Sequence, residues 1–190
     1  MLISQNRVLC QVEESILKGN TPNQKMIIKT NVTDLLAHRY STGLESKISQ
    51  SFSLAIDVDR VNKKSLYLES NQPWYPFLEV DKKGMIIEPQ IRFYPFSDGI
   101  SGFYTSLAGF FGWGLYHPSD GFLENRDWSA EGGSLHVGYQ LIFGKIALDP
   151  FLGATLAKNN YPGPYYESTA LFPAPNGLRF SGGLRLGLAF

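Results

Sequence analysis

The chain carries one cysteine, Cys10, in 190 residues. That excludes an intramolecular disulfide and any zinc cluster built from cysteines. The preceding Arg7-Val8-Leu9 lacks the small residues expected before a lipid-modified cysteine. Neither sign of charge is in excess, since 17 lysines and arginines meet 17 acids, so no basic field points to nucleic acid and no such partner is expected. No apolar run approaches the roughly 18 residues of a membrane helix. Met1 to Gln24 also lacks a cationic segment followed by the apolar core of a secretory signal. A membrane-spanning strand needs only about 9 to 11 residues, half of them apolar, so the missing helix says nothing against strands.

Strand patterns are plentiful. From Leu178 to Phe190 the sequence alternates strictly: Leu178, Phe180, Gly182, Leu184, Leu186, Leu188 and Phe190 form one column, and Arg179, Ser181, Gly183, Arg185, Gly187 and Ala189 the other. Side chains of a strand point alternately to its two faces, so one face here is apolar and the other small, polar or cationic. A soluble sheet would put a wet, charge-rich column opposite its core. Small and charged residues inside with leucines outside is the pattern of a transmembrane barrel.

Similar columns recur along the chain. Met26, Ile28, Thr30 and Val32 alternate with Ile27, Lys29 and Asn31, in a strand expected to end near Asp34; Thr42, Leu44 and Ile48 with Gly43, Glu45 and Lys47; and Phe52, Leu54, Ile56 and Val58 with Ser53, Ala55, Asp57 and Asp59. Further strands set Met85, Ile87, Ile91 and Phe93 against Glu88, Gln90, Arg92 and Tyr94, and Phe103 to Leu115 against Tyr104 to Gly114. Two more set Leu135 to Phe143 against Ser134 to Ile142, and Leu148, Leu152, Ala154 and Leu156 against Asp149, Phe151, Gly153 and Thr155. Pro89 and Pro150 fall inside strands, where each removes a ladder donor, so bulges or unpaired positions are expected there.

The tally is eight strands whose connections alternate long and short, with 60–84, 117–132 and 157–177 expected as long loops. Outer-membrane barrels have long extracellular loops and short periplasmic turns. The expectation is therefore an all-β, eight-stranded antiparallel transmembrane barrel over 25–190 with a periplasmic tail over 1–24, in which Leu9, Val12 and Ile16 stand at helical spacing. Export to an outer membrane implies a signal peptide no longer present in this sequence. Closure requires the terminal strand to pair with 25–32.

The inward columns hold Glu45, Asp57, Asp59, Glu88 and Asp149 beside Lys29, Lys47, Arg92, Arg179 and Arg185. Eight strands leave room for little but side chains, so these charges are expected to pair as a polar core; a narrow lined pore is the alternative. Ser134 and His136, with Glu131 nearby, invite a lipid hydrolase, but side chains two apart on a strand stand roughly 6 to 7 Å from each other, too far for a nucleophile-to-base bond. His38 and His117 lie near no carboxylate pair at metal spacing. No catalytic, cofactor or metal site is expected. Trp74, Tyr75, Phe77, Tyr161, Tyr165 and Tyr166 make two loops aromatic, as membrane-interface anchors or a contact surface for a partner or glycan.

At Pro89-Gln90-Ile91-Arg92-Phe93-Tyr94, Gly138 to Lys145 and Leu184 to Phe190, the sequence resembles a family of small outer-membrane barrels, similar to OmpA and OmpX, common in the Bacteroides and Flavobacterium group and of unknown function. An acid usually follows the strand-four proline in that family. Here Gln90 takes that place, and Glu88 precedes it on the same face. The resemblance implies the outer membrane of a Gram-negative bacterium, contact with its lipid and lipopolysaccharide, and a terminal signal of Leu184, Leu186, Leu188 and Phe190 read by the barrel assembly machinery. It implies no activity. The expected role is a non-enzymatic structural or accessory subunit of a larger envelope complex; the alternatives are a lipid-modifying hydrolase using Ser134 and His136, and a soluble lipocalin-like barrel.

Overall fold

The computed structural model describes residues 24–36, 39–70, 77–96, 100–118, 124–160, 165–167 and 177–190. The expectations for the N-terminal tail before Gln24 and for His38, Trp74, Tyr75 and Tyr161 lie outside these residues.

Strands β1 (Met26–Asn31), β2 (Arg39–Lys47), β3 (Phe52–Ser70), β4 (Phe77–Phe93), β5 (Gly102–Pro118), β6 (Arg126–Phe143), β7 (Ile146–Asn160) and β9 (Gly177–Ala189) pair antiparallel in a closed ring, sealed by β1 against both β2 and β9. A three-residue strand β8 (Tyr165–Glu167) adds to the far end of β3. The first strand ends at Asn31 rather than near Asp34, because the Asn31 side chain accepts from Thr33 and turns the chain into a short helix, α1 (Val32–Leu36), that takes Val32 out of the expected column.

The register fixes the shape. Direct partners of Ile27 run around the ring through Glu45, Ala55, Gln90, Ala108, Ser134 and Thr155 to Arg179, whereas the residue facing Ile27 across the closing seam is Ala189, ten positions further on. Eight strands with that stagger tilt by roughly 40° at a spacing of ~4.8 Å and a rise of ~3.3 Å per residue.

Alternation then puts one column inside and the other outside on every strand. Leu107, Phe111, Leu135, Leu152, Leu156, Leu186 and Leu188 are exposed on the outer wall, while Tyr104, Ala108, His136, Asp149, Thr155 and Arg185 are buried within. Towards the end away from the short turns, the first outward charges are Arg60 on β3, Lys83 on β4, Glu131 on β6 and Lys158 on β7. On β9 the apolar column from Leu188 to Leu178 has no charge and rises ~25 Å along the axis at that tilt.

Two stretches expected as long loops, 60–84 and 117–132, are largely strand, and the third, 157–177, begins and ends in strand. β3 continues to Ser70 and β4 starts at Phe77; β5 runs to Pro118 and β6 starts at Arg126; β7 ends at Asn160. Beyond the outward charges both faces are polar or mixed, as at Asn62-Lys63-Lys64 and Lys82-Lys83, so the apolar alternation that marks the lower strands disappears although pairing continues. Phe77, Tyr165 and Tyr166 are accordingly strand residues.

Both prolines keep their places in the strands. Pairing toward β5 lapses at Glu88-Pro89 and toward β6 at Asp149-Pro150, and each ladder resumes in the same register. A proline contributes no N–H, so one side of the strand goes unpaired without a bulge. Among the described residues the one register shift lies between Lys63 and Leu66 of β3.

Glycines admit an indole to the interior. The Trp128 ring lies so close to Gly84 and Gly114 that a Cβ at either would fall within 2.7 Å of it, and Trp128 Nε1 donates to the Lys83 carbonyl at 3.0 Å. At the opposite end Gly144, with φ +61°, makes the tight β6–β7 turn.

Candidate functional site

The interior is layered. Nearest the short turns, Ile27, Tyr94, Ile100, Tyr104, Ala147 and Ala189 form an apolar cluster that Phe151 joins from higher on β7. Gln24 closes against this end, its Nε2 donating to the Gly144 carbonyl at 2.6 Å.

Above it sits an ionic layer, in which three cations meet three carboxylates. Glu45 accepts from Lys29, from Arg92 at 3.2 Å, from Ser53 and from Tyr94 Oη at 2.7 Å. Asp149 accepts from Arg92 at 2.9 Å, Lys29 at 3.1 Å and Tyr104 Oη at 2.6 Å, with Arg185 at 3.7 Å. Arg185 also reaches Asp57 at 3.3 Å, and Gln90 donates to that carboxylate at 2.6 Å. Gln140 Oε1 accepts from Lys29 at 2.8 Å. Residues on all eight ring strands thus meet near the axis. A buried charge is tolerable only when paired and fully hydrogen-bonded, and here carboxylate lone pairs left by the cations are taken by tyrosine and serine hydroxyls.

The guanidinium planes are also stacked. Arg185 lies 3.8 Å from the Phe151 ring centroid and Arg92 4.6 Å from that of Tyr104. Arginine suits both tasks, because its planar fork pairs with carboxylates while its face rests on a ring.

A cavity of about 440 Å³ occupies the next level. Asp59 pairs with Arg39, which also reaches Asp34 of α1 at 3.4 Å. Glu88 accepts from Gln90 at 3.3 Å, and Arg179 lines the cavity together with Glu88. At its upper end the lining turns apolar, with Val61, Ile86, Phe110 and Trp128. Lys82 Nζ lies 4.4 Å from the Trp128 ring centroid.

Ser134 and His136 both face the cavity, but to different partners. Ser134 Oγ is 3.0 Å from Thr155 Oγ1, and His136 Nε2 is 2.9 Å from Ser181 Oγ. Glu131 is on the outer face, 3.6 Å from Lys158. The serine within reach of His136 is therefore Ser181 of β9, which lies in the same cross-strand row on the far side of Gly153 of β7 and which spacing along one strand could not reveal.

Several network members were not singled out from sequence. Tyr94, Tyr104, Ser53, Gln90 and Gln140 belong to the inward columns, and neutral polar residues at the level of paired charges were the available signal. Arg39 reads as part of a connection, yet it begins β2. Lys47 is half-buried at the short-turn end of β2, and Leu184, Leu186, Leu188 and Phe190 hold the outer face at the same end of β9. Among the described residues no group of three or more histidines, cysteines or acids could hold a metal ion. No family model matches the chain, and no curated protein or solved structure matches it.

Proposed function

We propose that the chain is an outer-membrane barrel serving as a non-enzymatic structural or accessory subunit of a cell-envelope complex. The observation that carries this reading is the uncharged apolar wall, about as tall as the ~25 Å band of known outer-membrane barrels and bounded on four strands by outward charges. Large leucines and phenylalanines exposed around a whole barrel would be an aggregation surface in water and a solvation surface in lipid. The ionic layer favours a scaffold over a channel, because arginine, lysine and tyrosine side chains fill the bore at one level. The resemblance to small Bacteroides-type barrels agrees with that location. A soluble carrier would want the opposite arrangement, apolar inside and polar outside.

Membrane fractionation tests this reading. The protein should resist carbonate extraction, need detergent for release, and migrate differently on gels before and after boiling. Monodisperse protein without detergent would overturn it. Crosslinking in intact envelopes should recover a recurrent envelope protein; recovery of bulk lipoproteins alone would remove the accessory role.

One observation favours a second reading, a lipid hydrolase with Ser181 as nucleophile and His136 as base, since their polar atoms are within hydrogen-bond distance at the cavity. Ser181→Ala should then alter the lipid mass profile of the membrane while folding is intact, and an unchanged profile removes this reading.

A further inference from the structure

Among the described residues the ring of strands is broken beside the cavity, and at the break α1 rather than a strand packs against β2 and β9. β1 ends at Asn31, whose side chain accepts from Thr33 N at 3.2 Å and Thr33 Oγ1 at 2.7 Å and so turns the chain into α1. β9 continues: among the described residues, Gly177 to Leu184 pair with β7 on one side and with no strand on the other. This free edge lies at the height of the apolar wall. Its consequence appears in the cavity lining, which includes Phe180 and Gly182 although both belong to the outward column. Residues of the outward column can border an interior space only where the ring of strands is broken.

The cavity has two chemical poles. At the apolar pole stand Val61, Ile86, Phe110 and Trp128. At the other, Asp59 Oδ1, His136 Nδ1 and the Nε atoms of Arg39 and Arg185 are buried without a protein partner, and Asp59, His136 and Arg185 are each at least nine-tenths buried. Arg39 and Arg185 already face carboxylates, so these atoms ask for one group that both donates and accepts rather than for a net charge. Buried polar atoms are normally satisfied, and several converging on one space mark a ligand's polar end.

We propose that this cavity binds one medium-chain amphiphile with an uncharged hydroxyl-bearing head, admitted from the lipid through the gap beside β9. The head is held by Asp59, His136 and Arg185, and the chain lies against Phe110 and Trp128. The inference rests on the membrane reading, which supplies the lipid at the gap.

The test uses the two tryptophans on opposite sides of the wall. In a Trp74→Phe/Trp113→Phe variant in phospholipid vesicles, a bromoundecanoyl monoglyceride should quench Trp128 saturably at one equivalent per barrel, and the unbrominated monoglyceride should reverse the loss. Adding Ser181→Phe, which fills the cavity, should abolish the saturable quenching. Native mass spectrometry of the unaltered protein should show a single monoglyceride adduct, which covers the case in which that variant fails to fold. Quenching that rises linearly with bromolipid, or no adduct, would overturn the proposal. In a Trp74→Phe/Trp128→Phe variant, brominated phospholipid should quench Trp113 on the outer face. Quenched Trp113 with unsaturable Trp128 would sink the cavity proposal alone, whereas unquenched Trp113 would sink the membrane reading.

Discussion

Arg92 Nη1 lies 2.9 Å from Asp149 Oδ2, and neither side chain has exposed surface. The two come from β4 and β7, three strands apart in the ring, so the pair crosses the bore and ties strands that share no ladder. Glu45 shares the same guanidinium from a third strand.

Removing that guanidinium leaves the two buried carboxylates Glu45 and Asp149 sharing Lys29, one cation short. Arg92→Met should destabilise the barrel by about 3 to 5 kcal/mol, read as a lower urea midpoint in vesicles. Lys158→Ala, which breaks the exposed pair with Glu131, should cost under about 1 kcal/mol. Equal effects would mean that the buried layer contributes no more than a surface pair.

The outer wall should discriminate by height. Leu152→Arg places a cation in the middle of the apolar band and should cost about 2 to 4 kcal/mol if lipid surrounds it. Arginine at Lys158, beyond the band, should be close to neutral. Urea unfolding from vesicles compares the two, and a neutral Leu152→Arg would argue that the wall faces water.

Glycines on the two faces should respond differently. A Cβ at Gly114 would sit 2.0 Å from the Lys83 carbonyl oxygen and 2.7 Å from the Trp128 indole nitrogen, whereas at Gly109 its nearest neighbour is 3.9 Å away. Gly114→Ala should therefore cost about 1 to 3 kcal/mol by overpacking, with a shifted Trp128 emission. Gly109→Ala should leave both unchanged.

Much of this architecture could be read from alternation. On β5, β6, β7 and β9 each face has a different solvent, so the sequence carries a two-residue period, and closure of β9 on β1 follows from that pattern. Higher up, both faces of β3 and β4 are polar or mixed; Lys63 and Lys82 face each other across a ladder that no apolar period announces. The eight inward columns could be written down, but not their mutual heights. The ten-residue stagger brings Lys29, Glu45, Arg92 and Asp149 to one level, and it arises from eight registers acting together. The same limit hid the approach of Ser181 to His136. The end of β1 at Asn31 is a local capping choice, visible only once Thr33 is seen bonded to it.

The central claim is that the alternating apolar column faces lipid. Spin labels on single cysteines, placed in a Cys10→Ser background at Leu135, Leu152 and Leu186 and, for contrast, at Arg60 and Lys158, measure it directly by comparing collisions with oxygen and with a water-soluble nickel chelate. In membranes, the three apolar positions should favour oxygen and the two charged positions the chelate. Chelate access at Leu135, Leu152 and Leu186 equal to that at Lys158 would place the wall in water and contradict the account.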